Sequence, residues 1–179
     1  NTKYTLLINA DIKTSVDDIE RLVDTFHKYP NTGISVPLLV DGKNNNLDYM
    51  ECLPEMSSNY KYLNNDKKKL ISGDTCISFC WAAIMLINNK IFENSKLFDK
   101  KYFLFWEDYD LCRRLYNNKI PIIKTYCSRA HHLEHKSVKD NLRNYFIIQQ
   151  YHVLSSYIYF KINKKDNILI KRFFIYLFR

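Results

Sequence analysis

The chain has 179 residues, 46% hydrophobic and 15% aromatic, which suits one folded domain with a real core and excludes a disordered segment. Three glycines leave no glycine-rich phosphate loop, and the longest apolar runs, such as Cys80 to Ile87, fall far short of a membrane span. The net charge of +8 is lopsided: residues 1–110 carry 13 Lys/Arg against 16 Asp/Glu, and residues 111–179 carry 14 against 3. The basic end asks for an anionic partner, either a phosphate-bearing substrate or an acidic membrane face. Five cysteines without a CxxC pair or zinc-like spacing read as buried thiols in a reducing compartment. With no charged-then-apolar secretion signal at the first residues, the expectation is an intracellular, cytoplasmic protein that does not span a membrane.

In chain order, the run Tyr4 to Asn9 reads as a buried strand stopping at Ala10-Asp11. It places a carboxylate at the carboxyl end of an inner strand, where open α/β sheets bind ligands. Ser15-Val16-Asp17-Asp18 is a capping box with Asp in place of Glu, and Ile19, Leu22, Val23 and Phe26 continue at helical spacing to Pro30. Gly33 opens a second strand, GISVPLLV, closed by the Asp41-Gly42 turn. Residues 43–69 are polar and read as a long loop, whose Tyr49, Tyr60 and Tyr62 suit a flat substrate as well as they suit a surface excursion. Ser72 to Phe92 is apolar again and carries Trp81; periodicity does not choose between strand and helix. A helix is expected over Asp110 to Tyr116, then a strand over Ile120 to Cys127 leading to His131-His132. From Val138 to Phe160 the pattern is helical, with Leu142, Phe146, Gln149 and Val153 on one stripe, and a second basic, aromatic helix is expected from Ile168.

The chemistry is concentrated at Phe98 to Arg114. Five aromatic or apolar residues, Tyr102 to Trp106, lead straight into Glu107-Asp108 and Asp110, so carboxylates arrive at the end of a segment that should be buried. That is where a carboxylate costs most and where catalytic groups are found. The plainer reading is that Glu107 and Asp108 favour a helix dipole and Asp110 pairs with Arg113 or Arg114. Against it stands the order of the acidic and imidazole sites: Asp11, Glu107-Asp108 and His131-His132 each follow an apolar segment. In a sheet-based fold such segment ends converge, giving a carboxylate and an imidazole for a divalent cation beside a free carboxylate.

Strand-Asn9-Ala10-Asp11, an apolar segment, LFDKKYFLFWEDYDLCRRL, a strand with His131-His132, and then Arg143-Asn144 together resemble the family 2 glycosyltransferases of GT-A fold, particularly the rhamnosyltransferase-like bacterial branch. The resemblance covers nearly all of residues 1–150, and Glu107-Asp108-Tyr109-Asp110-Leu111 is its specific part. It implies a GT-A-like, partly Rossmann-like α/β fold, a mixed sheet flanked by helices. Residues 1–137 would form the catalytic, acceptor-side part and 138–179 a basic helical extension. The implied reaction is inverting transfer of a sugar from a nucleotide-sugar donor to the hydroxyl of a glycan, lipid-linked or protein acceptor, in cell-surface polysaccharide or glycoconjugate synthesis.

The resemblance also implies roles. Asp108 would be the general base with Glu107 its neighbour, and Asp11 with His132 would hold Mn2+ or Mg2+. Trp81, Asp110, Lys136, Arg143 and Asn144 would bind substrate. His132 is selected over His131 by its spacing from Ser137, and His135 stands where relatives have glycine. The family's upstream strand-helix-strand unit for the nucleotide is not found before Asn9-Ala10-Asp11, so the expectation is a fragment that binds a nucleotide sugar weakly by itself. The alternative is a non-catalytic basic module binding an anionic membrane surface or a glycan. A metal-dependent hydrolase would need more ligands than the pattern supplies. Nucleic acid is excluded as a partner by the absence of a binding motif and by acids in the apolar middle.

Overall fold

The computed structural model describes residues 2–43, 45–47, 52–54, 72–93, 96–133 and 142–163. The chain divides into two units, Asn1–Lys96 with Cys112–His135, and Leu97–Leu111 with Lys136–Arg179. The expected loop tyrosines, Lys136, Lys139, Ser137 and the helix from Ile168 lie outside the described residues.

The first unit is a mixed six-stranded sheet with helices: β1 (Tyr4–Ile8), β2 (Ile12–Thr14), α1 (Val16–Lys28), β3 (Ile34–Val40), β4 (Thr75–Ile77), β5 (Ile84–Asn88) and α2 (Asn89–Phe92) precede α3 (Glu107–Asn117) and β6 (Ile122–His132). The expected α/β fold with a mixed sheet is therefore present. The strand order is β1-β5-β3-β6-β2, with β4 also on β6; β3 and β6 run parallel and the other pairs antiparallel.

Local chemistry explains the helices. Ser15 caps α1, its Oγ accepting the Asp18 N–H at 3.1 Å, with Asp17 and Asp18 in the first turn and His27 and Lys28 in the last, as the helix dipole favours. The face carrying Leu22 and Phe26 is buried against Leu86, and Phe26 stacks on Tyr4 with ring centres 4.7 Å apart. A second apolar cluster gathers Ile12, Leu39, Ile84 and Ala130 from four strands. Between α1 and the sheet, Thr25, Thr125 and Ser35 form a buried chain of hydroxyls at 2.7 and 3.0 Å, so these polar groups are satisfied inside the core.

Several expectations change. β1 is half exposed and stands at the end of the strand order, so the strand before Asp11 is not an inner one. The apolar stretch from Ser72 resolves into β4, β5 and the short α2, with β5 fully buried. β6 runs past Cys127 to include His131 and His132, which lie within a strand and not after one. Of the cysteines only Cys80 and Cys112 are buried, with their sulfurs 3.9 Å apart; Cys52 is half-buried, Cys76 is exposed on the short strand β4, and Cys127 is exposed where β6 departs from its register with β3.

In the second unit the helix α4 (Leu142–Ile162) buries Ser155, Ser156, Tyr159 and Phe160. Leu142, Phe146 and Val153, the stripe that periodicity would turn inward, are exposed, because the aromatic run before α3 packs on the other side of the helix.

Candidate active site

The first cluster is built by the sheet. β1 and β2 are joined by a tight turn at Asn9-Ala10-Asp11, in which the Ile12 N–H donates to Asn9 O at 3.1 Å. The turn is pinned on both sides: the Asn9 N–H donates to Ala83 O at 2.9 Å, and the Leu133 N–H donates to Asp11 O at 2.9 Å. β2 then pairs with the last residues of β6, Ile12 opposite His132. The result is that Asp11 Oδ2 lies 3.2 Å from His132 Nε2, across 121 positions of sequence. Both side chains are only partly buried, so a ligand reaches them from solvent.

Upstream of His132, β6 carries a bulge. Its register against β3 jumps from Thr125 opposite Pro37 to Arg129 opposite Leu38, leaving Tyr126, Cys127 and Ser128 outside the ladder. Proline has no N–H to give, and the extra residues must find partners elsewhere. Two carboxylates supply them. Asp74 accepts the Tyr126 N–H at 3.0 Å, and Asp18 accepts the Arg129 N–H at 2.9 Å while Arg21 donates to Cys127 O at 3.2 Å. Burial pushes the Asp74 carboxyl up, but hydrogen bonds from Lys28, the Tyr126 N–H and Tyr29, with the Lys28 charge, outweigh it and hold Asp74 below the ordinary range. Asp18 is lowered in the same way: burial acts upward, and Ser15, the Arg129 N–H and Arg21 prevail. The same pair raises Lys28, chiefly through its hydrogen bond to Asp74. Neither acid's role was visible in the sequence, since nothing local marks a three-residue bulge 50 or 110 positions away.

Trp81 stands 40% exposed in the loop after β4, edge-on to the buried Phe79 with ring centres 5.0 Å apart. It presents a flat ring to solvent, beside a small cavity of about 20 Å³ lined in part by Pro37, Ala83 and Lys124.

The second cluster belongs to the second unit and centres on the start of α3. Phe105 and Trp106 both take left-handed backbone, φ 63° and 69°. Two bulky residues in succession in that region cost roughly 1–2 kcal/mol each and persist only where packing over-determines them. Here α4 does so: Phe105 stacks on His152 at 3.8 Å between ring centres, Trp106 sits among Tyr109, Tyr159 and Phe160, and Ser155 Oγ donates to Leu104 O at 2.8 Å. The kink turns Trp106 inward to 4% exposure while leaving Phe103 79% exposed. The first helical hydrogen bond runs from the Asp110 N–H to Trp106 O, so Glu107, Asp108 and Asp110 all fall in the first turn, one turn earlier than the spacing predicts.

Asp108 and Asp110 are buried, and Asp108 Oδ1 accepts the Tyr109 N–H at 2.8 Å. Glu107 is half-buried, and its Oε2 is fully shielded from solvent with no hydrogen-bond partner among the described residues. A shielded carboxylate oxygen without a donor is unfavourable by itself and would be relieved by a hydroxyl donor on a ligand. Arg113 lies over the Tyr116 ring at 5.8 Å and Arg114 donates to Lys96 O at 2.7 Å. Arg143 is exposed and Asn144 half-buried on the first turn of α4. Among the described residues no three His, Cys, Asp or Glu side chains gather as a metal cage, and Asp11 with His132 is the carboxylate–imidazole pair that could hold a cation.

The fold matches that of a glycosyltransferase. The chain superposes with TM-score 0.51 on the crystal structure of GalNAc-T7 with UDP, GalNAc and Mn2+, over 83% of this chain and 31% of that one, at 15% identity. In sequence it is similar to the rhamnosyltransferase WbbL of Escherichia coli (strain K12), 29% identical over 92 residues, which is 51% of this chain and 34% of that protein. The chain thus spans about a third of the length of each. No family model matches it.

Proposed function

We propose that the chain is the catalytic, acceptor-side part of an inverting glycosyltransferase of the family 2, rhamnosyltransferase-like kind, using a nucleotide-sugar donor and a glycan, lipid-linked or protein acceptor. The observation that carries the reading is the pairing of Asp11 with His132 at the end of a glycosyltransferase-like sheet. The buried acids at the start of α3 support it.

The reaction asks little of covalent chemistry. An acceptor hydroxyl attacks the anomeric carbon in line with the departing diphosphate; one C–O bond forms, one breaks, and a single displacement inverts the centre. Asp108 takes the hydroxyl proton as general base. Glu107, through its shielded Oε2, accepts a second acceptor hydroxyl and so orients the nucleophile. The first turn of α3 suits this: Asp108 is buried there, its Oδ1 accepting the Tyr109 N–H at 2.8 Å. Asp11 and His132 are the residues that would hold Mn2+ or Mg2+, which when bound neutralises charge growing on the leaving diphosphate. A carboxylate and an imidazole within hydrogen-bond reach of each other fit such a cation. Trp81 offers its exposed ring to a sugar face, Arg143, Asn144 and Lys136 meet phosphate or acceptor oxygens, and Asp110 supports its neighbours from the interior. We place the enzyme in the cytoplasm, in synthesis of a cell-surface polysaccharide or glycoconjugate.

The test is Mn2+ binding by the full-length protein, followed by electron paramagnetic resonance in the presence of nucleoside diphosphate. Asp11→Asn and His132→Ala should each weaken it by roughly 10-fold or more, since each removes one of two protein donors. Unchanged Mn2+ affinity in both variants would sink the cation site.

A further inference from the structure

We propose that Cys80 and Cys112 are a redox-responsive pair that closes to a disulfide within the folded chain and fastens the loop carrying Trp81 to α3. Their sulfurs stand 3.9 Å apart across 32 positions of sequence, and the Cys112 thiol also faces Cys80 O at 3.7 Å. Both residues are buried, Cys80 at 6% exposure and Cys112 at 0%. A disulfide needs about 2.05 Å between sulfurs, so the pair must approach by roughly 2 Å. The fold supplies one fixed and one yielding partner for that approach. Cys112 lies in the middle of α3, whereas Cys80 lies in residues 78–83, the connection between β4 and β5, which is neither strand nor helix. Space borders both: Cys80 lines the small cavity beside Trp81, and Cys112 lines another of about 480 Å³ together with Ile77, Tyr116 and Ile120. The side chains can therefore shift without overpacking the core.

The oxidant is a disulfide of a small thiol, of the glutathione class. The Cys80 thiolate, the less deeply buried of the two, attacks one sulfur of that disulfide and releases one small thiol, which takes up the proton Cys80 gave. The Cys112 thiolate then attacks Cys80 Sγ in the mixed disulfide and releases the second small thiol with the second proton. Two protein thiols thus lose two hydrogens and two electrons, and the small disulfide gains them. Proximity drives the closure: thiols held in contact close more favourably than the same two joined by a flexible stretch of chain, whose effective concentration is on the order of millimolar. In a reducing pool the pair stays open and closes as the pool is oxidised, as sensing pairs do. Trp81 follows Cys80 directly, so closure also restrains the ring offered to a sugar; that consequence rests on the function proposed above, and the disulfide does not.

The experiment equilibrates the full-length protein with defined ratios of reduced and oxidised glutathione, folded and in urea, then quenches with acid and maps tryptic peptides by mass. Cleavage after Lys69, Lys90, Lys101 and Arg113 puts Cys80 and Cys112 on separate peptides. Cys76 shares the Cys80 peptide, so the protein used is Cys76→Ser, a change at an exposed position. The proposal expects the two peptides linked and lighter by two hydrogens, with an equilibrium constant roughly 10-fold or more larger in the folded protein than in urea. Hydrogen exchange across residues 78–83 should slow on oxidation. Thiols that stay reduced in the folded protein at a ratio that links them in urea, or that end as separate glutathione adducts, overturn the proposal. So does a linkage that leaves exchange across 78–83 unchanged, since the loop would then not be fastened.

Discussion

Asp18 and Asp74 show how single side chains serve backbone far away in sequence. Asp74 accepts the Tyr126 N–H within the β6 bulge and Asp18 the Arg129 N–H just after it, and hydrogen bonds and basic neighbours hold each carboxyl below its ordinary range. The sign of the consequence follows: stability from a depressed acid is complete above the unfolded value of about 3.9 and is lost as pH falls through the lower folded value. Asp18→Asn/Asp74→Asn should therefore melt below the parent at neutral pH, with the gap closing as the pH falls through the depressed folded values, to the acid side of the unfolded one. A gap that stays constant through that range would contradict the role given to these acids. Gly33 offers a cleaner packing test. A Cβ there would meet Ile120 Cγ2 at 2.6 Å, whereas one at Gly42 meets nothing within 4 Å. Gly33→Ala should cost about 1–3 kcal/mol in denaturant unfolding and Gly42→Ala less than about 0.5 kcal/mol.

At the scale of elements, what could be read from sequence was what is encoded locally. α1 carries its own cap, dipole-matched ends and apolar spacing, and its bounds follow from them. Removing the cap with Ser15→Ala should cost about 1 kcal/mol, and because Ser15 also holds Asp18, the variant should lose part of the acid sensitivity described above. β2 escaped notice because three residues carry no periodicity; only pairing with β6 makes them a strand. The same non-local pairing draws the histidines into β6. α4 was legible as a helix but not in its orientation, since periodicity finds a stripe without saying what the stripe faces. The left-handed pair Phe105-Trp106 had no signal at all: neither residue type is a turn former, and the conformation is imposed by the rings of His152, Tyr159 and Phe160.

For the molecule as a whole, the order of its acidic and imidazole residues carried more information than any one of them. Asp11 and His132 each have a plain alternative as a turn or strand residue, yet their succession anticipated the 3.2 Å pair. The shielded Oε2 of Glu107, without a hydrogen-bond partner among the described residues, could not be foreseen, because it depends on packing and not on local sequence. The central claim is that the buried carboxylate of Asp108 takes the acceptor proton, and its most direct test is Asp108→Asn in the full-length protein, measured as transfer from a nucleotide-sugar donor and, separately, as donor binding. The account predicts transfer reduced by roughly 100-fold or more with donor affinity within about twofold of the parent. Transfer at the parental rate, or a loss traced wholly to donor affinity, would contradict it.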